Sequence, residues 1–256
     1  MGKTAVVTGG AKGIGRQIAI EMARAGYDVA VNYHSDLQAA EEVCRIAGKL
    51  GVRAEKFYAD MGCLEDITRM YQEIEECFPE IDVLVNNAGI SSEVYFLEAT
   101  EEDFDRMTAI DWKGLYFSSQ AAARKMIEKG TKGVIINLSS NQVDGCWPRA
   151  TIYASTKAAV GKFTKNAAME LIPYGIRMAA VAPGYTDVGW KEGDIRLKAA
   201  KRLPMRRFAT TREIAEAVVY LASDSAGYIT GTTLTIDGGA TLPVTAENDF
   251  GEKENE

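Results

Sequence analysis

Cysteine, histidine and proline are scarce in this chain of 256 residues, which has four, one and six of them. The four cysteines, Cys44, Cys63, Cys77 and Cys146, are widely spaced and form no C-x-x-C pair. We therefore expect reduced thiols rather than disulfides, and no metal site. No Pro-, Gly- or Ser-rich linker, low-complexity tract or internal repeat interrupts the chain, so the sequence predicts one domain over residues 1–240.

The sequence also lacks a long apolar run and an extended basic surface. No stretch is long enough to cross a bilayer, and polar residues 1–4 lead into an apolar segment too short for a signal-peptide core. The net charge is −7, and the basic residues are scattered apart from a cluster between Lys198 and Arg207, which we interpret as a solvated helix and turn. We expect a cytoplasmic protein with neither a nucleic-acid nor a membrane partner.

Short apolar segments alternate with helical ones along the whole chain. Continuously apolar runs such as Val134-Ile135-Ile136 are typical of strands buried on both faces, as in parallel sheets. The sequence predicts an α/β fold with a doubly wound parallel sheet, in which ligands bind at the carboxyl ends of the strands. We expect an acidic, flexible tail over 241–256. The predicted strands are 4–7, 28–32, 54–58, 81–85, 133–138, 177–182 and 233–236, and the predicted helices are 16–25, 37–50, 64–77, 109–129, 153–171 and 211–222.

A glycine-rich turn joins the first predicted strand to the first predicted helix. Glycines let a backbone approach a pyrophosphate closely, and a helix N-terminus offers unpaired N–H groups and a partial positive charge. The strand–turn–helix context favours a dinucleotide site over an ordinary turn. The turn reads Thr8-Gly9-Gly10-Ala11-Lys12-Gly13-Ile14-Gly15.

Four further motifs follow later strands in order: Asn86-Asn87-Ala88-Gly89, Ser139-Ser140, Tyr153-Ala154-Ser155-Thr156-Lys157 and Pro183-Gly184. Together with the turn at Thr8, and with Asp60 after the third strand, they resemble the motifs of the short-chain dehydrogenase/reductase family over residues 3–239. The resemblance implies a Rossmann-like fold and hydride transfer between a nicotinamide cofactor and a ketone or secondary alcohol. It also implies a homotetramer or homodimer formed through the two long helices, where the small residues Ala121 to Ala123 and Ala158-Ala159 permit close packing.

Tyr153 and Lys157 have a spacing that suits proton transfer. Residues four apart share one face of a helix, so the Lys157 ammonium lies beside the Tyr153 phenol and favours its phenolate form. A tyrosine held in this way gives a proton to a ketone oxygen, or takes one from an alcohol, as hydride moves. By resemblance, Ser140 rather than Ser139 holds the substrate oxygen, Lys157 also binds the nicotinamide ribose, and the cofactor supplies the hydride.

Two positions depart from the family pattern. Asp111 stands where the family has an asparagine that helps to hold a proton-relaying water, and an ionised aspartate accepts hydrogen bonds without donating them. Asp111 adds a negative charge near Lys157. It can still help to hold the water if the family's asparagine acts through its backbone carbonyl. We keep Asp111 as a catalytic candidate and expect Asp111→Asn to keep or raise activity. Val188 stands where a threonine commonly holds the nicotinamide amide, and Thr186 is the expected substitute.

The end of the second strand bears on the choice of nicotinamide cofactor. Tyr33 occupies the place of the acid that would bind the ribose 2′-hydroxyl of NAD(H). Lys12 and the only histidine, His34, are suited to a 2′-phosphate, although each is also explained as a solvated loop residue. We favour NADP(H), with NAD(H) as the alternative. The expected cofactor residues are Thr8, Gly9, Lys12, Gly13, Ile14, Gly15, Tyr33, His34, Asp60, Met61, Asn87, Ala88, Gly89, Tyr153, Lys157, Pro183, Gly184 and Thr186.

The expected substrate residues are Asn141, Trp147 and Trp190. Polar groups mixed with indoles suit an apolar-walled pocket with a few directing hydrogen bonds. Residues 139–157, including Trp147-Pro148, are locally similar to bacterial glucose dehydrogenases of this family, which favours a sugar, a polyol or a similar small carbonyl compound.

Three alternatives stay open at this stage. One is a 3-oxoacyl-carrier-protein reductase, which needs a basic patch such as Lys125, Lys129 and Lys132. The second is a hydroxysteroid dehydrogenase. The third belongs to another class, a cofactor-binding regulator with little turnover, which only Asp111 supports.

Overall fold

A parallel sheet flanked by helices forms the centre of the molecule. The computed structural model describes residues 2–91, 93–190 and 194–242, with the backbone alone at 195–197. The tail predicted from 241 onward therefore lies outside the described residues after Leu242. The strands are β1 (Thr4–Val7), β2 (Asp28–Tyr33), β3 (Ala54–Tyr58), β4 (Val83–Asn86), β5 (Val134–Leu138), β6 (Arg177–Pro183), β7 (Thr186–Asp187), β8 (Ala209–Thr210) and β9 (Thr233–Ile236). The α-helices are α1 (Gly13–Arg24), α2 (Leu37–Lys49), α3 (Leu64–Cys77), α4 (Glu101–Thr108), α5 (Leu115–Lys129), α6 (Thr151–Leu171) and α7 (Thr211–Ala222).

Seven of these strands form one parallel sheet in the order β3-β2-β1-β4-β5-β6-β9. Strand β1 is central, and Val6 lies beside Ala30 of β2 on one side and Leu84 of β4 on the other. The chain winds outward from β1 to β3 and then returns to β4 on the other side of β1. This reversal of strand order opens a crevice at the carboxyl ends of β1 and β4. The predicted doubly wound α/β fold is confirmed.

Both faces of the sheet are covered, which explains why its central strands are mostly apolar. Val7 and Val85 contribute to a core with α1, α2 and α7. Val6 and Leu84, their neighbours along the chain, contribute to a second core with α3, α5 and α6. Because successive side chains of a strand point to opposite faces, a strand between two helical layers is apolar at most positions. The buried exceptions in β4 and β5, Asn86 and Asn137, are joined by a hydrogen bond.

The predicted start of the helix at 109–129 is wrong. Thr100 and Asp103 form a capping box, so a helix begins at Glu101, eight residues earlier than predicted. A π-helical turn, Ala109–Gly114, then joins α4 to α5. The π turn buries Asp111 and Gly114, and such turns are frequent at functional sites. Apart from α1, which begins three residues early, the other predicted boundaries lie within two residues of the observed ones.

Gly114 provides a test of how tightly the π turn is packed. A Cβ at this position would overlap the carbonyl oxygen of Met61, a backbone atom that cannot move aside cheaply. We expect Gly114→Ala to lower the free energy of unfolding by about 1–3 kcal/mol, measured by urea denaturation. The matched control is Gly48→Ala in α2, where no atom lies within 4 Å of the added Cβ. This control should be neutral or stabilising by about 0.5–1 kcal/mol, and equal losses in the two variants would contradict the packing argument.

Candidate active site

A cavity of about 560 Å³ opens at the carboxyl ends of the strands. It lies where β1, β4, β5 and β6 end and where α6 begins, which is the place expected from the reversal of strand order. Many of the residues predicted for the site meet there. Those that line the cavity are Ile14, Asn87, Gly89, Asp111, Ser140, Asn141, Trp147, Tyr153, Lys157, Pro183, Gly184, Thr186 and Trp190.

Tyr153 and Lys157 lie one turn apart on α6 and face this cavity together. The Lys157 ammonium is 5.5 Å from the centroid of the Tyr153 ring. Lys157 is buried, and its Nζ donates a hydrogen bond to the Leu138 carbonyl at 3.2 Å. The predicted juxtaposition of phenol and ammonium is therefore present, with the ammonium behind the ring and the tyrosine half-buried at the cavity wall.

The two serines after β5 have different partners. Ser139 Oγ donates to the backbone carbonyl of Lys157 at 3.0 Å, which ties the end of β5 to α6. Ser140 Oγ accepts a hydrogen bond from the Gln142 N–H at 3.2 Å and has no acceptor in the described part of the chain. Its hydroxyl hydrogen is therefore available to the cavity, which supports Ser140 as the serine that contacts the substrate.

Asp111 and Lys157 form a buried ion pair. The Asp111 side chain is fully buried, Lys157 is 5% exposed, and Oδ2 lies 3.0 Å from Nζ. Asp111 Oδ1 accepts the Ile90 N–H at 2.8 Å, which fixes the carboxylate against the loop after β4. Burial is the largest single influence and lowers the pKa of Lys157, but the charge of Asp111, the charge of Tyr153 and the hydrogen bond to Asp111 together outweigh it, so the pKa lies above its ordinary value. Lys157 is therefore a cation at neutral pH.

Gly89 makes room for this ion pair. A Cβ there would lie 3.0 Å from Asp111 Oδ2 and 3.3 Å from Lys157 Nζ, closer than most real Cβ contacts. The loop after β4 can therefore pass close to the ion pair because Gly89 has no side chain.

The turn after β1 is fastened to the loop after β4 across the crevice. Thr8 Oγ1 accepts the backbone N–H groups of Asn87 and Ala88, each at 3.0 Å. In return, Asn87 Nδ2 donates to the carbonyls of Thr8 and Gly9, at 3.0 and 3.2 Å. These reciprocal bonds hold the two halves of the fold at a constant separation beside the cavity.

The glycines of the turn are required by backbone geometry and by space. Gly9 and Gly13 have φ values of +61° and +55°, in the left-handed region. A Cβ on Gly15 would overlap the Asn87 amide and the Gly9 carbonyl. Helix α1 begins at Gly13, directly after the turn. The side chain of its N-cap residue, Lys12, does not accept a hydrogen bond from the first N–H groups of the helix. A helix N-terminus that its N-cap residue leaves uncapped, at the end of a glycine-rich turn, fits a pyrophosphate, so the turn is suited to a dinucleotide.

The other predicted cofactor residues do not line the cavity but extend from it along the crevice towards β2 and β3. The Tyr33 ring packs edge-on against Tyr58, at 5.9 Å between centroids. His34 Nε2 is 3.9 Å from Asp60 Oδ2, and Asp60 Oδ1 accepts the Gly62 N–H. Lys12 Nζ lies 2.8 Å from Asp36 Oδ2. Those outside the cavity lining are Thr8, Gly9, Lys12, Gly13, Gly15, Tyr33, His34, Asp60, Met61 and Ala88.

Aromatic side chains form part of the cavity wall, with Phe208 packed behind them. Trp147 Nε1 donates to the Tyr185 hydroxyl at 3.0 Å. The Tyr185 ring stacks on Phe208 at 5.4 Å, and Trp190 meets Phe208 edge-on at 5.2 Å. Asn141 is buried at the base of this wall and points its amide towards Asp237, at 3.5 Å. Trp147, Trp190 and Asn141, all predicted from sequence, thus lie on one side of the cavity.

Three polar residues that connect the site to neighbouring elements were not predicted from the sequence. Asn32 Oδ1 accepts the Gly9 N–H, and its amide donates to the Ala59 carbonyl, so it connects the glycine turn to β2 and β3. A polar residue in an apolar strand was a signal that could have identified it. Asp237 anchors the turn after β9 by accepting the N–H groups of Gly239 and Thr241. For Asp36, nothing in the sequence indicated a role at the site except its position just before a helix.

The donor set suits a nicotinamide dinucleotide rather than a metal. In the described ranges, no group of three or more His, Cys, Asp or Glu side chains is placed to hold a metal ion. Of the helices in the same ranges, none combines the length and apolarity needed to cross a membrane.

The fold and the site together are those of an oxidoreductase that transfers hydride between a nicotinamide cofactor and a carbonyl or alcohol group. A family model described as enoyl-(acyl carrier protein) reductase matches residues 9–241. The uncharacterized oxidoreductase YohF of Escherichia coli is 36% identical over 245 residues, 94% of this chain and 97% of that protein. The chain belongs to the short-chain dehydrogenase/reductase family, as its sequence motifs predicted.

Two further relatives carry more specific names. Glucose 1-dehydrogenase 2 of Bacillus subtilis is 35% identical over 246 residues, which cover 94% of this chain and 95% of that enzyme. The crystal structure of acetoin dehydrogenase YohF from Salmonella typhimurium superposes with a TM-score of 0.90 at 35% identity, covering 97% of this chain and 99% of that one. Members of this family use nicotinamide cofactors and act on CH–OH and C=O groups, and this chain is an enzyme of that kind.

The buried ion pair gives a specific expectation for Asp111→Asn. Turnover at neutral pH should be kept or raised, whereas the alkaline limb of the pH profile should move to lower pH. The reason is that Lys157 stays buried but loses the charge that raises its pKa. The asparagine amide also points its NH2 group at another donor, either the Ile90 N–H or the Lys157 ammonium. The free energy of unfolding should therefore fall by about 1–3 kcal/mol.

Steady-state rates from pH 6 to 10, together with thermal unfolding, check both parts of this expectation. A large loss of turnover at neutral pH in a folded variant would show that the carboxylate itself is needed.

Proposed function

We propose that Ser140, Tyr153 and Lys157 carry the proton chemistry of a carbonyl reductase or alcohol dehydrogenase, with Asp111 supporting them. The observation that carries this proposal is the meeting of a pocket-facing serine hydroxyl, a phenol and a buried ammonium in one cavity beside the glycine turn. When bound, the nicotinamide accepts or supplies the hydride.

Each side chain has a separate task in this proposal. Ser140 donates its free hydroxyl hydrogen to the substrate oxygen and so orients the carbonyl. Tyr153 gives its Oη proton to that oxygen during reduction and takes it back during oxidation. Lys157, charged at neutral pH, stabilises the phenolate that forms at Tyr153 and donates to the cofactor ribose. Asp111 keeps Lys157 charged and oriented.

A small, polar carbonyl compound such as a sugar, a polyol or a hydroxyketone is the substrate class that we propose. The amides of Asn141 and Gln142 and the hydroxyl of Tyr185 line the cavity next to Ser140 and suit a substrate with a second oxygen. The glucose and acetoin dehydrogenases named above support the same class. A carrier-protein substrate is less well supported, because Lys125 and Lys129 both pair with Glu75 and present little unpaired positive charge.

For the cofactor we propose NADP(H) in preference to NAD(H). The residue at the end of β2, Tyr33, carries no acid, and Lys12 and His34 lie at the same end of the crevice. Lys12 is two-thirds exposed, so a 2′-phosphate has access to its ammonium.

For the assembly we propose a homotetramer or homodimer formed through α5, α6 and the π turn. Trp112, Tyr116 and Phe163 form an aromatic cluster there, with edge-on or tilted rings 5.1–5.8 Å apart. Tyr116 is 38% exposed. The predicted role of the small residues changes, because Ala122 and Ala123 are buried in the chain's own core. On α6, Ala158 is exposed and Ala159 is half-buried, so the exposed surface combines small residues with the aromatic cluster.

The reaction is tested with purified wild type and Tyr153→Phe on a panel of sugars, polyols, hydroxyketones, oxoacyl esters and steroids, with both cofactors. We expect turnover on the small polar compounds, faster with NADP(H), and a loss of at least about 100-fold in kcat for Tyr153→Phe because the proton donor is gone. A circular dichroism spectrum and a thermal unfolding curve like those of wild type should show that the variant is folded. Tight NADPH binding without Tyr153-dependent turnover on any substrate would contradict the proposal.

The assembly is tested by sedimentation velocity on Tyr116→Glu. A carboxylate in a buried aromatic contact is strongly unfavourable, so this variant should sediment as a monomer or smaller oligomer than wild type. Leu50→Glu, which changes a similarly exposed apolar residue at the end of α2, should sediment as wild type does. Unchanged sedimentation of Tyr116→Glu would exclude this helical face as the interface.

A further inference from the structure

The carboxylate of Asp36 lies against the lysine to which we assign the 2′-phosphate. Lys12 lies at the N-cap position of α1, and its ammonium is 2.8 Å from Asp36 Oδ2. Asp36 is itself the N-cap of α2, and its Oδ1 accepts the Ala39 N–H at 2.9 Å. One oxygen of the carboxylate therefore caps a helix while the other binds the lysine that the cofactor's phosphate would use.

The Asp36 carboxylate in this ion pair keeps its charge and its orientation, unlike a side chain in a loose surface contact. The capping bond holds the Asp36 side chain in one orientation, since it is made to the backbone of the adjoining helix. The hydrogen bond from Lys12 and the one from Ala39 both lower the pKa of Asp36. The carboxylate is therefore ionised over the working pH range and remains directed at Lys12.

Asp36 also supplies an acid that is missing from the end of β2. Tyr33 stands where an acid would accept a hydrogen bond from the ribose 2′-hydroxyl, but Asp36 follows only three residues later. A carboxylate oxygen can accept a hydroxyl hydrogen, whereas it repels a phosphate that carries about two negative charges at neutral pH. His34, the other basic residue at this end of the crevice, also faces a carboxylate, Asp60 at 3.9 Å.

We propose that Asp36 is a specificity-determining residue for the cofactor. Through its ion pair with Lys12 it limits the preference for NADP(H) and permits the use of NAD(H). This inference rests on the proposed NADP(H) preference, because it assigns the 2′-phosphate to Lys12. Removal of the charge at position 36 should therefore convert a modest preference for the 2′-phosphate into a strong one.

The test is a binding measurement with the adenosine half of each cofactor. Wild type and Asp36→Asn are titrated with adenosine 2′,5′-bisphosphate and with 5′-AMP by isothermal calorimetry at low ionic strength. Asparagine caps a helix as well as aspartate does, so the fold is preserved. We expect Asp36→Asn to tighten the bisphosphate about tenfold, the scale for removing one exposed charge beside a dianion. Binding of 5′-AMP should weaken or change less than about threefold.

A matched control separates this effect from a general loss of negative charge. Glu42 of α2 pairs with Arg16 of α1 at 3.3 Å, so it joins the same two helices further from their N-termini. Glu42→Gln removes the same charge and should leave the ratio of the two affinities within about twofold.

Lys12→Ala distinguishes the two ways in which the inference can fail. If Lys12→Ala leaves bisphosphate binding unchanged, the assignment of the 2′-phosphate to Lys12 is wrong, and both the NADP(H) proposal and this inference lose their basis. If Lys12→Ala weakens bisphosphate binding but Asp36→Asn changes both ligands equally or not at all, only the role of Asp36 is overturned. Support requires that the gain from Asp36→Asn is smaller in the Lys12→Ala background, where the carboxylate still repels the phosphate but no longer competes with it for Lys12.

Discussion

The buried ion pair between Lys157 and Asp111 is the contact on which the arrangement of the site depends. A buried ammonium is costly without a partner, and Asp111 supplies one at 3.0 Å. The pair imposes requirements on three segments of the chain. Helix α6 must bring Lys157 to the cavity, the π turn must direct Asp111 inward, and the loop after β4 must pass beside them at Gly89. Removing either partner would leave an uncompensated charge in the interior, so the two positions must be considered together.

The surroundings of this pair are built by elements that are distant in sequence. The Leu138 carbonyl from β5 and the Ile90 N–H from the loop after β4 each bind one member of the pair. Thr8 and Asn87 then connect that loop to the glycine turn, so the cofactor turn and the catalytic helix share one rigid frame. Preorganisation of this kind leaves little reorganisation for the moment of reaction. The aromatic contacts among Trp147, Tyr185, Trp190 and Phe208, in contrast, join residues of different loops.

Much of the fold and the site was predictable because it rests on local patterns. Apolar strands between helices determine a parallel sheet, and the motifs after β1, β4, β5 and β6 meet because the carboxyl ends of parallel strands share one edge. The start of the helix before Asp111 was missed, since its capping box uses Asp103 where Glu or Gln is the commoner partner. The burial of Ala122 and Ala123 was also missed, because a run of alanines does not say which face of a helix is covered. Asp36 was overlooked because its partner, Lys12, is on another helix.

The sequence by itself determined the fold class and the family, and it supplied the side chains that we propose for the reaction. Each of these follows from the order and spacing of residues near one another in the chain. Only the tertiary structure decided what charge surrounds those side chains. The pairing of Lys157 with Asp111 and of Lys12 with Asp36 joins residues 46 and 24 positions apart, and a Coulombic interaction depends on distance in space rather than along the chain. The reaction class is therefore read from the sequence, whereas the protonation of the site and the charge facing the cofactor follow from the fold.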